Sequence, residues 1–137
     1  MDQQGAIERL RSVPLFSEFG DKELQRVAAT VKEVSFPAGK VIAKQGETGV
    51  GFHMIVEGEA TVSVDGVDHA TLGPGSFFGE ISLIDGKPRS ATVTAKGDLT
   101  TISMVSWDFT PLLEKEPEVS KGLLMVLCAR LRAAESR

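Results

Sequence analysis

Between Glu33 and Met104 the chain never sustains a long apolar run, and glycine or proline breaks it again and again. A helical core cannot be built from such pieces, but short strands can. Pro37-Ala38-Gly39 separates EVSF from KVIAK, and Gln45 to Gly51 forms a loop with glycines at 46, 49 and 51. FHMIVE reads as a strand and Gly58-Glu59 as a turn. In the next strand Ala60, Val62 and Val64 alternate with Thr61, Ser63 and Asp65, the period of a half-buried strand. Asp65-Gly66 between Val64 and Val67 is a two-residue hairpin signal. Gly73-Pro74-Gly75 is a further break, and ATVTA and LTTISMV finish the block. About eight short strands at this spacing imply an antiparallel sandwich or jelly-roll barrel.

Helical patterns flank the strands. Ile7, Leu10 and Val13 predict a short helix running into the turn at Pro14-Leu15-Phe16. Asp21 is placed to cap a second helix that buries Leu24, Val27, Ala28 and Val31. After the strands, Trp107 to Lys115 predicts a helix anchored on the barrel by Trp107. Pro117 suits the first turn of a longer one. Val119, Leu123, Leu124, Leu127 and Leu131 give this last helix an apolar stripe, within which Cys128 reads as a small buried hydrophobe. The expected layout is one domain over residues 1–137, with helices over about 5–31, a barrel over about 33–105 and C-terminal helices over about 107–135.

Composition narrows the function classes. The net charge is −4, against a nucleic-acid-binding surface and against attraction to anionic membranes. A small anionic ligand remains compatible, because one local pocket of donors overcomes a weak global charge. Cys128 is the single cysteine, so a disulfide framework is excluded and a reducing, cytoplasmic setting is expected. No secretory signal or membrane-spanning run is expected from the sequence. His53 and His69 are lone histidines, too few for a metal-dependent enzyme on a similar barrel. No metal, no cofactor and no catalytic residue is therefore expected.

One segment breaks the strand texture: GPGSFFGEISLIDGKPRSATV, from Gly73 to Val93. Gly79 permits close backbone approach. Glu80 to Leu83 can make one helical turn, whose leading N–H groups attract an anion. Arg89 returns after a proline-stiffened turn with a fork that matches two phosphate oxygens. Ser90 offers a hydroxyl. Glu80 repels phosphate but accepts from a sugar hydroxyl. An acid beside a fork of donors therefore points to a sugar phosphate rather than bare phosphate.

These residues resemble the phosphate-binding cassette of the cyclic-nucleotide-binding domain family. The match lies in Phe78-Gly79-Glu80, Ile81-Ser82-Leu83 and Pro88-Arg89-Ser90-Ala91-Thr92. Val13-Pro14-Leu15-Phe16, Gln45-Gly46-Glu47, Phe52 to Gly58 and Gly73-Pro74-Gly75 fall in the family's order, from about Leu10 to Leu131. The resemblance implies a mainly β fold with flanking helices, an antiparallel jelly-roll barrel (double-stranded β-helix) with N-terminal helices and a C-terminal lid helix. It implies a non-catalytic sensor that binds a 3′,5′-cyclic nucleotide, cyclic AMP favoured over cyclic GMP, and reports it through C-terminal helix movement.

The resemblance also assigns roles. Arg89 pairs with the exocyclic phosphate and Glu80 accepts from the ribose 2′-hydroxyl. Gly79, Ile81 and Ser82 offer backbone groups, Ser90 completes the cradle, and Phe78 and Ala91 flank it. Ser90 fits either nucleotide. It touches phosphate in cyclic-AMP binders and helps read guanine in cyclic-GMP binders. The last helix carries Arg130, Leu131, Arg132, Ala133 and Ala134 where bacterial transcription regulators of the family supply hydroxyls to the purine, so Leu131 as a lid or Arg132 as a stacking cation is expected. The same helix is the candidate contact for a second copy or an effector. The competing reading is a degenerate barrel that serves as a protein-interaction or dimerisation module.

Overall fold

The computed structural model describes residues 2–13, 16, 19–49, 51–79 and 85–136. Helices α1 (Gln3–Arg11) and α2 (Asp21–Ala28) open the chain. Eight strands follow among the described residues: β1 (Lys32–Phe36), β2 (Val41–Ala43), β3 (Gly51–Glu57), β4 (Ala60–Val64), β5 (Val67–Leu72), β6 (Phe77–Phe78), β7 (Thr92–Ala95) and β8 (Leu99–Val105). Helices α3 (Ser106–Lys115) and α4 (Pro117–Glu135) end the chain.

The strands form two four-stranded antiparallel sheets, ordered β1-β8-β3-β6 and β2-β7-β4-β5. This is the jelly-roll arrangement with flanking helices. No ladder joins the sheets among the described residues, so the barrel is not closed. The β4–β5 hairpin turns through Asp65 at φ 52° and Gly66 at φ 80°, the two positive angles a tight hairpin of this hand requires. Gln45 fixes that turn from the side: its carbonyl accepts from the Asp65 N–H at 2.8 Å, and its amide donates to the Asp65 carboxylate at 2.9 Å.

Strand alternation divides the core in two. Phe52 and Met54 of β3, Ile102 and Met104 of β8 and Phe77 of β6 face the helices and join Leu10, Leu24, Phe109, Val119 and Leu123. Ile55, Leu99 and Phe78, from the same three strands, face the second sheet and meet Ala43, Ala60, Val93 and Ala95. The first sheet is thus the shared wall of both cores. Phe77 and Phe78 stand back to back across it.

Four local expectations need correction. Gly20, not Asp21, is the N-cap of α2, with extended backbone (φ −77°, ψ 173°) and no side-chain capping bond. Asp21 is instead the first helical residue and, with Glu23, meets the positive end of the helix dipole. Trp107 is 68 % exposed, and Phe109, fully buried, anchors α3 in its place. Cys128 is exposed. On α4 the stripe splits: Val119 and Leu123 are buried and Leu127 packs at the core's edge, whereas Leu124 and Leu131 face outward. A helix lying on one sheet face buries only one side. No described helix is long and apolar enough to cross a membrane.

Candidate functional site

Arg89 is the organising residue. Its side chain is buried to 9 % exposure. It donates to the carbonyl of Gly79 and to the carbonyl of Gly51, each at 3.0 Å. Its backbone is tied to the Gln45–Gly51 loop in both directions. The Arg89 N–H donates to Glu47 O and the Gly46 N–H to Arg89 O, both at 2.9 Å. Gly49 leaves the room that the guanidinium occupies, because a Cβ there would collide with Arg89 Nη2, Nε and Cζ. Gly79, at φ 95°, is excluded from bearing a side chain twice over: by its backbone angle, and by the Gly51 carbonyl and Arg89 Nη1. Backbone dipoles and glycine gaps thus fix the direction of a buried cation, which is costly to bury without such compensation.

This guanidinium lines a pocket of about 200 Å³. Phe78, Gly79, Ser90 and Ala91 line it with Arg89. Ala43, Val62, Leu72 and Val93 supply an apolar wall from the second sheet. Phe77 and Arg130 complete the lining on the side of α4. Two arginines therefore meet at one apolar-walled cavity in a chain of net charge −4. That combination suits a small anion with a flat, weakly polar body.

The walls of the pocket are stiffened from behind. Phe78 stacks on His53 with ring centroids 5.0 Å apart and planes 16° from parallel. His53 Nδ1 lies 3.2 Å from the hydroxyl of Thr101, which is fully buried. Burial first, and the nearby charge of Arg89 second, lowers the His53 pKa from 6.5 to about 4. The ring is neutral at neutral pH and packs as an aromatic spacer between strands. On the other face of the sheet, Arg130 donates to the Phe77 carbonyl at 2.7 Å and places its guanidinium 4.9 Å from the Phe77 ring centre. That cation–π contact seats α4 against the pocket.

Of the residues expected at the site, Phe78, Gly79, Arg89, Ser90 and Ala91 come together in this pocket. Glu80, Ile81 and Ser82 lie outside the described residues. Leu131, 60 % exposed, and Arg132, also exposed, are not among the pocket's lining. Arg130 lines it instead. Sequence reasoning singled out its neighbours, because no motif marks which side of α4 turns inward. His53 reads from the sequence as a strand residue, and its place beside Phe78 at the pocket wall follows from β3–β6 pairing that no local pattern reveals.

The cyclic nucleotide-binding domain family model matches residues 33–116, more than half of the chain and every pocket residue just described except Arg130. The chain belongs to that family. It is 39% identical over 125 residues to a cyclic nucleotide-gated potassium channel of Mesorhizobium japonicum, covering 91% of this chain and 35% of the channel. It is 30% identical over 131 residues to the cyclic AMP receptor protein of Thermus thermophilus, covering 92% of this chain and 61% of that protein. The chain thus spans about a third of the channel's length and less than two thirds of the receptor's. Among solved structures it resembles the Thermus thermophilus catabolite activator protein, with a TM-score of 0.79 at 31% identity over 89% of this chain and 60% of that one. It also resembles the regulatory domain of Toxoplasma gondii PKA in a co-crystal with cAMP, with a TM-score of 0.82 at 25% identity over 93% of this chain and 50% of that one.

Proposed function

We propose that the chain is a non-catalytic sensor that binds a 3′,5′-cyclic nucleotide, cyclic AMP in preference to cyclic GMP, and reports it through α4. The observation that carries this reading is the Arg89 guanidinium, locked by the Gly51 and Gly79 carbonyls at the wall of a pocket whose opposite side is apolar. In this reading the exocyclic phosphate pairs with Arg89 and accepts from Ser90. Glu80 accepts from the ribose 2′-hydroxyl, and backbone groups of Gly79, Ile81 and Ser82 surround the phosphate. The purine lies toward Val62, Leu72 and Val93. The apolar character of that wall, and the names of relatives that bind cyclic AMP, favour adenine over guanine.

Helix α4 supplies the lid. Arg130 already spans from the helix to the pocket, so the base meets this planar cation first. Leu131 and Arg132 reach the base only if α4 turns about its axis. Ligand transmits a signal to the extent that it prefers the closed helix over the open one. The nucleotide leaves as it entered, because a sensor needs no bond broken.

The test is titration calorimetry with cyclic AMP and with cyclic GMP, on the chain and on Arg89→Ala. Saturable binding on the order of micromolar, about −8 kcal/mol, tighter for cyclic AMP and lost in Arg89→Ala, is the expected outcome. Absence of heat and of competition with either nucleotide would assign the barrel to protein interaction instead.

A further inference from the structure

Gln45 stands where the loop that holds Arg89 meets the β4–β5 hairpin. Its backbone N–H donates to the Thr92 hydroxyl at 3.0 Å, at the start of β7. Thr92 pairs with Ser63 in the last rung of the β4–β7 ladder. The end of the hairpin, Val64 to Val67, runs past that rung. The half-buried Gln45 side chain reaches it with two hydrogen bonds to Asp65, at 2.8 and 2.9 Å. One residue further the chain begins to hold Arg89. The Gly46 N–H donates to the Arg89 carbonyl and Glu47 O accepts from the Arg89 N–H. Gly49 then leaves room for the guanidinium, and the Gly51 carbonyl accepts from Nη2.

A loop with glycines at 46, 49 and 51 has wide backbone freedom, and Gly46 itself sits at φ 85°. Left loose, such a segment would present the Gly49 gap and the Gly51 carbonyl together in only some of its conformers. Anchoring both ends supplies that order before any ligand arrives. Gly51 is held because it opens β3, and the other end is held by Gln45. The same anchor reaches the opposite side of the pocket, because the hairpin carries Val62 and Leu72 of the apolar wall. We propose that Gln45, which does not itself line the pocket, is a positioning residue of the binding site. It fixes the Arg89 guanidinium at the separation from the Val62 and Leu72 wall that a cyclic nucleotide spans. The ligand in this role rests on the function proposed above; the arginine's geometry does not. A side-chain amide suits the task because Asp65 presents both a donor, its N–H, and an acceptor, its carboxylate. A glutamate at position 45 has the same length and offers acceptors only.

Two readouts test this, one of them without ligand. In the free chain the Arg89 guanidinium N–H resonances, assigned by their loss in Arg89→Lys, should be resolved and slow to exchange. Gln45→Glu sets one carboxylate against another and should broaden them, while circular dichroism reports a folded chain. Gln45→Glu with Asp65→Asn again faces a donor to an acceptor and should bring them back. Cyclic AMP affinity by calorimetry should follow, about fivefold to tenfold weaker in Gln45→Glu and regained in the double variant. On an Arg89→Lys background, which has no fork to aim, Gln45→Glu should cost less than about twofold. Resonances or affinity indifferent to Gln45→Glu, a double variant that fails to restore them, or an affinity loss undiminished on the Arg89→Lys background would each overturn the proposal. If the unaltered chain binds neither cyclic nucleotide, the function proposed above falls, and the resonances still decide whether Gln45 positions Arg89.

Discussion

Arg89 owes its direction to residues that have no side chain. Gly49 and Gly79 leave the space its guanidinium fills, and the carbonyls of Gly51 and Gly79 fix its plane. Gly49→Ala is therefore expected to displace the arginine. Overpacking of this kind costs about 1–3 kcal/mol, and cyclic-nucleotide affinity should fall by roughly tenfold or more, read by calorimetry. Arg89→Lys keeps the charge and loses the fork. It should still weaken binding by about 10–100-fold, since a charged hydrogen-bonded contact is worth roughly 1.5–3 kcal/mol. His53 gives a pH dependence with a definite sign. Its pKa is lowered from 6.5 to about 4, so between those values the unfolded chain binds a proton that the folded chain refuses. Stability then rises with pH, is fully present above 6.5, and is lost as pH falls toward 4. Allowing for the partial exposure of the ring, the loss is ~2 kcal/mol. Urea unfolding at about pH 7 and about pH 4.5 should show that loss, and His53→Gln should be flatter across the same interval.

At the scale of elements, the strands were legible because two-residue alternation and Asp65-Gly66 are local signals. That Phe78, Gly79, Arg89, Ser90 and Ala91 share one pocket was legible because their spacing along the chain is compact. The faces of α4 were not. Its apolar residues run around much of the helix, and the phase that buries Leu123 and exposes Leu124 is set by the core it packs on, which holds Phe52 and Phe77 of the sheet and Phe109 of α3. Arg130 became a pocket residue for the same tertiary reason: α4 crosses β6 at Phe77. The back-to-back pair Phe77-Phe78 then joins helix and pocket, one ring under Arg130 and the other beside Arg89. Arg130→Ala is expected to loosen the C-terminal half of α4 by about 1–2 kcal/mol. Amide hydrogen exchange from residue 124 onward should accelerate while β3 and β8 stay protected. Unchanged exchange would show that the contact does not seat the helix.

For the whole molecule, the important fact is that both cores share the sheet β1-β8-β3-β6. Removing Ile55 or Leu99 from one core strains strands that also carry Met54 and Ile102 of the other, so helices and sheets should unfold in one transition. The pocket is lined from both sheets and from α4. A ligand there is bound only while all three are in place, so its binding energy should appear as global stability rather than as local ordering. At a cyclic-nucleotide concentration 100 times Kd the gain is about 2.7 kcal/mol, which for a chain of 137 residues raises Tm by about 10 °C. Calorimetric melting with cyclic AMP should therefore show a single peak displaced upward, with helix and sheet signals moving together. Arg89→Ala should remove the displacement while leaving a single peak. A ligand-shifted transition confined to the helical signal would mean that α4 closes and opens independently of the sheets. The shared wall would then couple the two cores in packing but not in folding.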